Sequence, residues 1–157
     1  MNLITIEQAR AHCRADAADD DLLTIYGNAA EEAAQQFLNR RVYADESTLS
    51  GARDGVPAML EAADTAYDDA VEAADDLDGS ARCAALDAAV FVRAAARARA
   101  REIDSGIVAT DDIVSGILLI LGHLYRNRED VVTGPAPAAL PMGAHALLWP
   151  HRIGLGI

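Results

Sequence analysis

Residues 56–103 form an alanine-rich segment that is interrupted by the turn sequence Asp78-Gly79-Ser80, with its charges divided between the two sides of that turn. From Pro57 to Gly79 there are eight acidic residues and no basic one, whereas Ser80 to Glu102 carries five arginines and two acids. Alanine is the strongest helix former, and Asp-Gly marks a turn. The segment therefore predicts two helices that fold back on each other as an antiparallel hairpin.

A seam of small apolar residues on the first arm supports the hairpin, because its members alternate at spacings of four and three, as in a coiled coil. The seam residues are Met59, Ala63, Ala66, Ala70, Ala73 and Leu77. Folding about the turn predicts three facing pairs: Asp75 with Arg82, Asp64 with Arg93, and Glu61 with Arg97. Exposed pairs contribute only about 0.2–1 kcal/mol each, so they would set orientation more than stability. The alternative is that both charged faces are simply solvated.

Helix signals also flank the hairpin. Thr5-Ile-Glu-Gln8 is a capping-box sequence and predicts a helix over about 6–14, followed by a second helix over about 20–38. We expect 39–55 to be a loop with Val42-Tyr43 extended, and 104–112 to be a joint. Thr110 should cap a further helix that ends near Asp130. That helix is apolar nearly all round, so it is predicted to be the central, buried one.

The chain changes character from Val131 onward, where four of its five prolines lie. Pro141 and Pro150 would bound one short helix, and the last residues, 153–157, alternate like an extended strand. Taken together, the sequence predicts an all-α fold: a small helical bundle in a single domain, 1–157. The hairpin, 56–103, is an insertion in that domain, and 131–157 is a Pro/Gly-rich C-terminal arm.

The charge balance excludes some classes of function. The net charge is −12, which opposes direct binding to nucleic-acid phosphates.

Cys13 and Cys83 are far apart and predict reduced thiols in a cytosolic product. The first residues do not resemble a secretory signal, and the apolar run 117–121 is too short to span a bilayer, so no membrane association is expected.

One stretch, Ile120-Leu-Gly-His-Leu-Tyr-Arg-Asn-Arg-Glu-Asp130, has the residue types of an active site. A catalytic site needs a nucleophile or a paired acid and base in a pocket, and no motif of that kind is present. Arg126 and Arg128 suit a helix C-terminus, and Tyr125 would share one side of the helix with Arg128 and Glu129. We therefore interpret the stretch as a polar network at a helix end.

Metal and cofactor sites are not predicted. His12 and Cys13 are adjacent and point to different sides of a helix, and the acidic run 16–21 lacks the ligand spacing of a calcium loop. Trp149 is the sole tryptophan and lies in a proline-rich tail. It either anchors an interface, as exposed aromatic residues often do, or folds back on the core of its own chain.

Three stretches and their order resemble one known family. They are Ile4-Thr-Ile-Glu-Gln-Ala-Arg-Ala-His-Cys-Arg14 with Asp21-Leu-Leu23 after it, Gly116-Ile-Leu-Leu-Ile-Leu-Gly-His-Leu-Tyr-Arg-Asn-Arg-Glu129, and Leu140-Pro-Met-Gly-Ala-His-Ala-Leu-Leu-Trp-Pro-His-Arg152. Phe37-Leu-Asn-Arg40 fits the end of the family's second helix. In these stretches the chain resembles the head–tail connector (adaptor) proteins of tailed double-stranded DNA bacteriophages and prophages. The alanine-rich hairpin departs from compact members of that family.

The resemblance implies a helical structural protein of the virion neck, made in the bacterial cytoplasm, with no enzymatic activity and no cofactor. It implies a ring of copies of the chain, usually twelvefold, between the portal protein and a head-completion (stopper) or tail protein. DNA would pass through the ring without specific binding.

Six residues at the helix end and in the tail are our candidates for interface contacts. They are Tyr125, Arg126, Arg128, Leu147, Leu148 and Trp149. The alternative function is a small dimeric adaptor or regulatory module held together by the alanine-rich hairpin.

Overall fold

The computed structural model describes residues 1–127 and 142–154. Within these ranges the fold is helical apart from two short strands, β1 (Val42–Tyr43) and β2 (Ile107–Val108), which confirms the all-α prediction. The helices in chain order are α1 (Ile6–Cys13), α2 (Asp20–Leu38), α3 (Glu46–Asp54), α4 (Val56–Ala74), α5 (Gly79–Asp104), α6 (Asp111–Arg126) and α7 (Met142–Leu148). Short 3₁₀ turns precede α2 at Ala17–Asp19 and follow α7 at Trp149–His151. No helix in the described ranges is both long and apolar enough to cross a membrane.

The chain divides into two compact units, which we call the body (Met1–Asp45 with Ile107–Ile157) and the inserted unit (Glu46–Gly106). In the body, β1 and β2 pair in parallel, with Val42 opposite Ile107. The Ile107 amide donates a 3.0 Å hydrogen bond to the carbonyl of Arg41. This pairing holds the two points at which the chain leaves and re-enters the body side by side.

The core of the body surrounds α6, as its nearly all-apolar sequence predicts. Helix α6 packs against α1, α2 and α7. The largest completely buried side chains are Leu23, Leu38, Ile113, Ile117, Leu121 and Leu148. Close approach of α7 depends on Gly116, because a Cβ added there would lie 2.9 Å from Cγ of Leu148.

The N-terminal segment is fastened to α2 by Glu31, a charged residue that is only 7% exposed. Its carboxylate accepts hydrogen bonds from the backbone amides of Asn2, Leu3 and Ile4 at 2.8–3.1 Å. Buried backbone N–H groups need hydrogen-bond acceptors. The carboxylate of Glu31 supplies the acceptor that backbone carbonyls would supply in a helix. The capping box at Thr5 follows directly and is confirmed, with its threonine and Gln8 bonded reciprocally.

The inserted unit contains α3 and the predicted hairpin of α4 and α5. The tip of the hairpin follows the prediction, since Arg82 donates to Asp75 at 2.6 Å. The predicted pairing of Asp64 with Arg93 is wrong, because Arg97 binds Asp64, at 3.2 Å. The guanidinium of Arg93 instead lies 3.6 Å from the centroid of the Tyr67 ring. This cation–π contact occupies Arg93 and leaves Asp64 to the arginine one turn further on.

The packed seam of α4 also differs in part from the predicted one. Ala66, Ala73 and Leu77 are exposed, whereas Tyr67 and Ala74 face inward. The inward positions of α4 are Val56, Met59, Leu60, Ala63, Tyr67, Ala70, Val71 and Ala74. The predicted seam contains no tyrosine, whereas the packed seam includes Tyr67, and including it moves part of the seam by one position.

Further differences concern the ends and connections of elements. The expected loop 39–55 contains α3, and the expected joint 104–112 contains β2. Helix α6 ends at Arg126, before the predicted Asp130. The short tail helix is confirmed as α7. The predicted terminal strand is not seen over 153–154, and its last three residues, 155–157, lie outside the described residues.

Candidate functional site

The first candidate site is a cleft of about 540 Å³ in the body, at the C-terminal end of α6 beside α1. It is lined by His12, Cys13, Leu119, Gly122, His123, Tyr125, Arg126 and Asn127. Gly122 admits the histidine of α1, because a Cβ at that position would lie 2.9 Å from Nε2 of His12. The close neighbour for which Gly122 leaves room is therefore the imidazole of His12.

Tyr125 has a structural role at the edge of this cleft. Its hydroxyl donates a 2.6 Å hydrogen bond to Oδ2 of Asp19, in the 3₁₀ turn that leads into α2. Tyr125 is half-buried and packs against the core of the body. The predicted polar network with Arg128 and Glu129 falls outside the described residues.

The chemistry of the cleft is that of a polar contact surface. Burial raises the pKa of the Cys13 thiol, and the positive charge of Arg126 opposes the rise without cancelling it. The thiol is therefore protonated near neutral pH, whereas nucleophilic cysteines are thiolates. His123 is held by Asn127, whose side-chain amide lies 3.1 Å from Nδ1. In the described ranges, no three metal-binding side chains come close enough to hold a metal ion.

The second candidate site lies at the C-terminal end of α2, where the 3₁₀ turn after α7 packs. We call it the aromatic–arginine cluster, and it consists of Phe37, His145, Trp149 and Arg152. The His145 and Trp149 rings are stacked with centroids 5.2 Å apart, and the Phe37 ring meets the edge of His145 at 5.0 Å. The Arg152 guanidinium lies 5.2 Å from the Phe37 centroid and 5.7 Å from that of Trp149.

The cluster is fixed in place by polar contacts of the residues beside it. The amide of Ile153 donates to the carbonyl of Leu38 at 3.1 Å. Nη1 of Arg40 reaches the carbonyl of His151 at 3.5 Å, and the His151 imidazole lies 3.8 Å from the carboxylate of Asp112. These contacts hold the tail against α2 and α6, so the aromatic rings are presented on a supported surface.

Trp149 is 45% exposed even within this cluster. One face of the indole packs on its own chain, as one of the two alternatives predicts, and the rest is open. Stacked aromatic rings with an arginine are typical of the energetically dominant residues of protein interfaces. The arrangement suits binding to another protein surface.

The remaining predicted interface residues have different positions. Arg126 is exposed in the cleft, and Leu147 is half-buried on α7. Leu148 is completely buried against Gly116, so its side chain belongs to the core and not to an exposed surface. Arg128 lies outside the described residues.

Sequence reasoning missed three members of the cluster, Phe37, His145 and Arg152. In the sequence, Phe37 and Arg152 stand out only as parts of the stretches that resemble connector proteins. Their spacing along the chain gives no signal, because α7 brings them together only after it has docked on α6.

No family model matches the chain, and neither a curated protein nor a solved structure matches it. The likeness to connector proteins therefore rests on the quoted stretches. In the described ranges all of these stretches belong to the body. They form α1, both ends of α2, most of α6, and α7 with the turn after it.

Proposed function

We propose that the chain is a structural assembly protein of the phage neck. Copies of it would form a ring that joins the portal vertex of the capsid to the tail and leaves a channel for DNA. The first support is that the resembling stretches, although distant in sequence, pack together: α6 contacts α1, α2 and α7.

The observation that carries the proposal is the aromatic–arginine cluster. Trp149 and Arg152 lie in one of the resembling stretches and stand on a supported, partly open surface of the body. A half-exposed tryptophan costs solvation free energy in an isolated chain, and covering it by a partner recovers that free energy. In a ring subunit this surface would contact a neighbouring copy or the portal.

A ring closed by rotation needs two different surfaces that fit each other head to tail. The cluster would supply one of them, and the cleft beside Arg126 would be available as part of the other. These two surfaces lie toward opposite ends of α2. Phe37 is near its C-terminal end, whereas the Tyr125–Asp19 hydrogen bond places the cleft at the end of α6 near the start of α2. Such a separation is what a head-to-tail contact requires.

The channel would repel DNA from its wall if acidic residues line it. A net charge of −12 on each subunit favours this arrangement, because phosphates and carboxylates repel each other at short range. We expect no binding of a fluorescent duplex to the purified chain at physiological salt. Binding that weakens steeply as salt is raised would oppose the proposal.

The decisive experiment is electron microscopy of the chain mixed with a portal protein from the same phage or prophage. We expect added ring-shaped density on one end of the portal. Trp149→Ala should abolish or strongly reduce it. Ile25→Ala is the matched control, because Ile25 is 63% exposed in the body and outside the resembling stretches. Absence of density with the wild-type chain would refute the proposal.

A second candidate function is a small dimeric adaptor or regulatory module held by the hairpin. One observation favours it, namely an apolar stripe left exposed on α5, with Phe91 74% exposed. If this second function holds, the chain would not add density to a portal. The portal experiment therefore separates the two functions.

A further inference from the structure

Helix α5 carries two seams on opposite faces, and the structure uses only one of them. The inward seam packs against α4 and has spacings of three and four. Its positions are Leu86, Ala89, Arg93, Ala96, Ala100 and Ile103, all buried or half-buried. This is the pattern that two antiparallel helices need in order to interlock.

The outward seam repeats the same spacing half a helical turn away. Its positions are Ala84, Ala88, Phe91, Ala95, Ala98 and Glu102, and every one of them is exposed. Val90 and Val92, on either side of Phe91, are 48% and 55% exposed. A second heptad seam with an exposed aromatic residue at its middle is typical of a helix that packs against a partner on each of two faces.

We propose that this outward face of α5 pairs with the same face of a second copy of the chain, antiparallel, about a twofold axis. Phe91 is the one large apolar residue in the seam, and its packing limits the register. Phe91 requires a small residue opposite it, and Ala95 of the other copy provides one. The same register places Ala88 opposite Ala98, so an alanine layer lies on each side of the two adjacent Phe91–Ala95 layers.

The flanking positions agree with this register. On one flank of an antiparallel pair, Asp87 of each copy faces Arg101 of the other, which gives two ion pairs of opposite charge. Ala94 meets its own copy on the axis of that flank, and Val92 meets its own copy on the other flank. Asp87 and Arg101 are both exposed, so neither has to leave a buried site in order to pair.

The distribution of charge indicates that the outward face of α5 pairs with α5 of a second copy and not with the outer face of α4. The outer face of α4 has a shallow open groove lined by alanines, Thr65, Glu61 and Asp69. It carries no exposed aromatic residue, and pairing it with its own copy would bring carboxylates together. Only the α5 face is self-complementary in shape and in charge.

The hairpin contact does not depend on the proposed neck function. A ring is closed by head-to-tail contacts, whereas this contact is twofold and lies in the inserted unit, which the resembling stretches do not include. Loss of self-pairing would leave the portal experiment unaffected, and the reverse also holds.

The test is sedimentation equilibrium of the full chain with two charge-reversal variants, D87R and R101D. Each variant alone would bring like charges together at both flanking pairs. We expect each to raise the dimer Kd by about tenfold or more. Mixed in equal amounts, the two variants should form a heterodimer with near wild-type affinity, because each then supplies the charge that the other lacks.

F91S serves as the packing variant, and its unfolding temperature is measured alongside its association. We expect a loss of dimer with an unchanged unfolding temperature, since Phe91 makes few contacts within its own chain. A monomeric wild-type chain at all concentrations overturns the proposal. So does a heterodimer no tighter than either variant alone. A fall in unfolding temperature without any change in association would show that the chain itself covers Phe91, and would also overturn it.

Discussion

The hydroxyl of Tyr125 donates a 2.6 Å hydrogen bond to the carboxylate of Asp19, across a separation of 106 residues in sequence. It joins the last turn of α6 to the 3₁₀ turn that leads into α2. The cleft between α1 and α6 is therefore bounded by a contact that fixes its edge. Tyr125 belongs to the stretch that has the residue types of an active site, and its hydroxyl has a structural hydrogen-bond partner.

Tyr125→Phe should lower the free energy of unfolding by about 1–2 kcal/mol, because it removes a hydrogen bond to a charged acceptor and leaves the ring in place. Urea denaturation measures this difference. Tyr43→Phe is the matched control, since Tyr43 is half-buried in the same unit, and we expect a change below about 0.5 kcal/mol. Equal effects for the two tyrosines would contradict the role assigned to the Asp19 bond.

Glu31→Ala should be among the most destabilising single changes in the body, at about 3 kcal/mol, because it leaves three backbone amides without their acceptor. Hydrogen exchange at residues 2–4 should accelerate in parallel. The control is Glu32→Ala, which removes an exposed carboxylate from the next position on the same helix. Unchanged exchange at residues 2–4 would show that other contacts hold the segment.

Local signals in the sequence predicted much of this fold. The capping box at Thr5 placed the start of α1 correctly, and the apolar periodicity of α6 placed it in the core. The division of charge across the Asp78-Gly79 turn predicted the hairpin and its tip pair. Each of these features depends on residues that lie close together in sequence, within one helix or on the two sides of one turn.

Features that depend on distant partners were not predictable in this way. Nothing near Glu31 indicates that its carboxylate turns inward, because its donors lie at the chain start. The pairing of β1 with β2 joins two dipeptides that flank a long insertion, and two-residue strands have no periodicity to detect. The aromatic–arginine cluster likewise forms only when α7 docks.

Gly116→Ala should destabilise the body by about 1–3 kcal/mol, since the new methyl group would overlap the side chain of Leu148. The double variant with Leu148→Ala should lose less than the two single effects added together, because the smaller side chain makes room. Gly51→Ala is the opposite control. Nothing lies within 4 Å of a Cβ there, so the change should stabilise α3 by about 0.5–1 kcal/mol. Additive effects at Gly116 and Leu148 would contradict the predicted overlap.

The pair of Arg10 and Asp20 should make stability depend on pH in the acidic range. Nε of Arg10 donates to Oδ1 of Asp20 at 2.6 Å, and this hydrogen bonding lowers the pKa of that carboxyl below its usual 3.8. A carboxyl whose pKa falls on folding stabilises the native state above its unfolded value, and the contribution is lost as pH falls through the folded value. The stability advantage of the wild type over Asp20→Asn should therefore be constant near neutral pH and shrink below about pH 3.8. Urea titrations of the wild type and Asp20→Asn, repeated at each pH, measure this advantage. An advantage that does not shrink in acid would contradict the role assigned to the pair.

The two cysteines should differ in reactivity toward a thiol reagent such as 5,5′-dithiobis(2-nitrobenzoate). Cys83 is exposed, whereas Cys13 is partly buried and its pKa is raised by that burial. Because the thiolate is the reacting form, we expect two phases at neutral pH that differ by at least about tenfold in rate. Cys83→Ser should remove the fast phase and Cys13→Ser should remove the slow phase.

Arg126→Ala should slow the slow phase further, since it removes the positive charge that partly offsets the raised pKa of Cys13. A slow phase that survives Cys13→Ser, or one that Arg126→Ala accelerates, would contradict this account of the cleft.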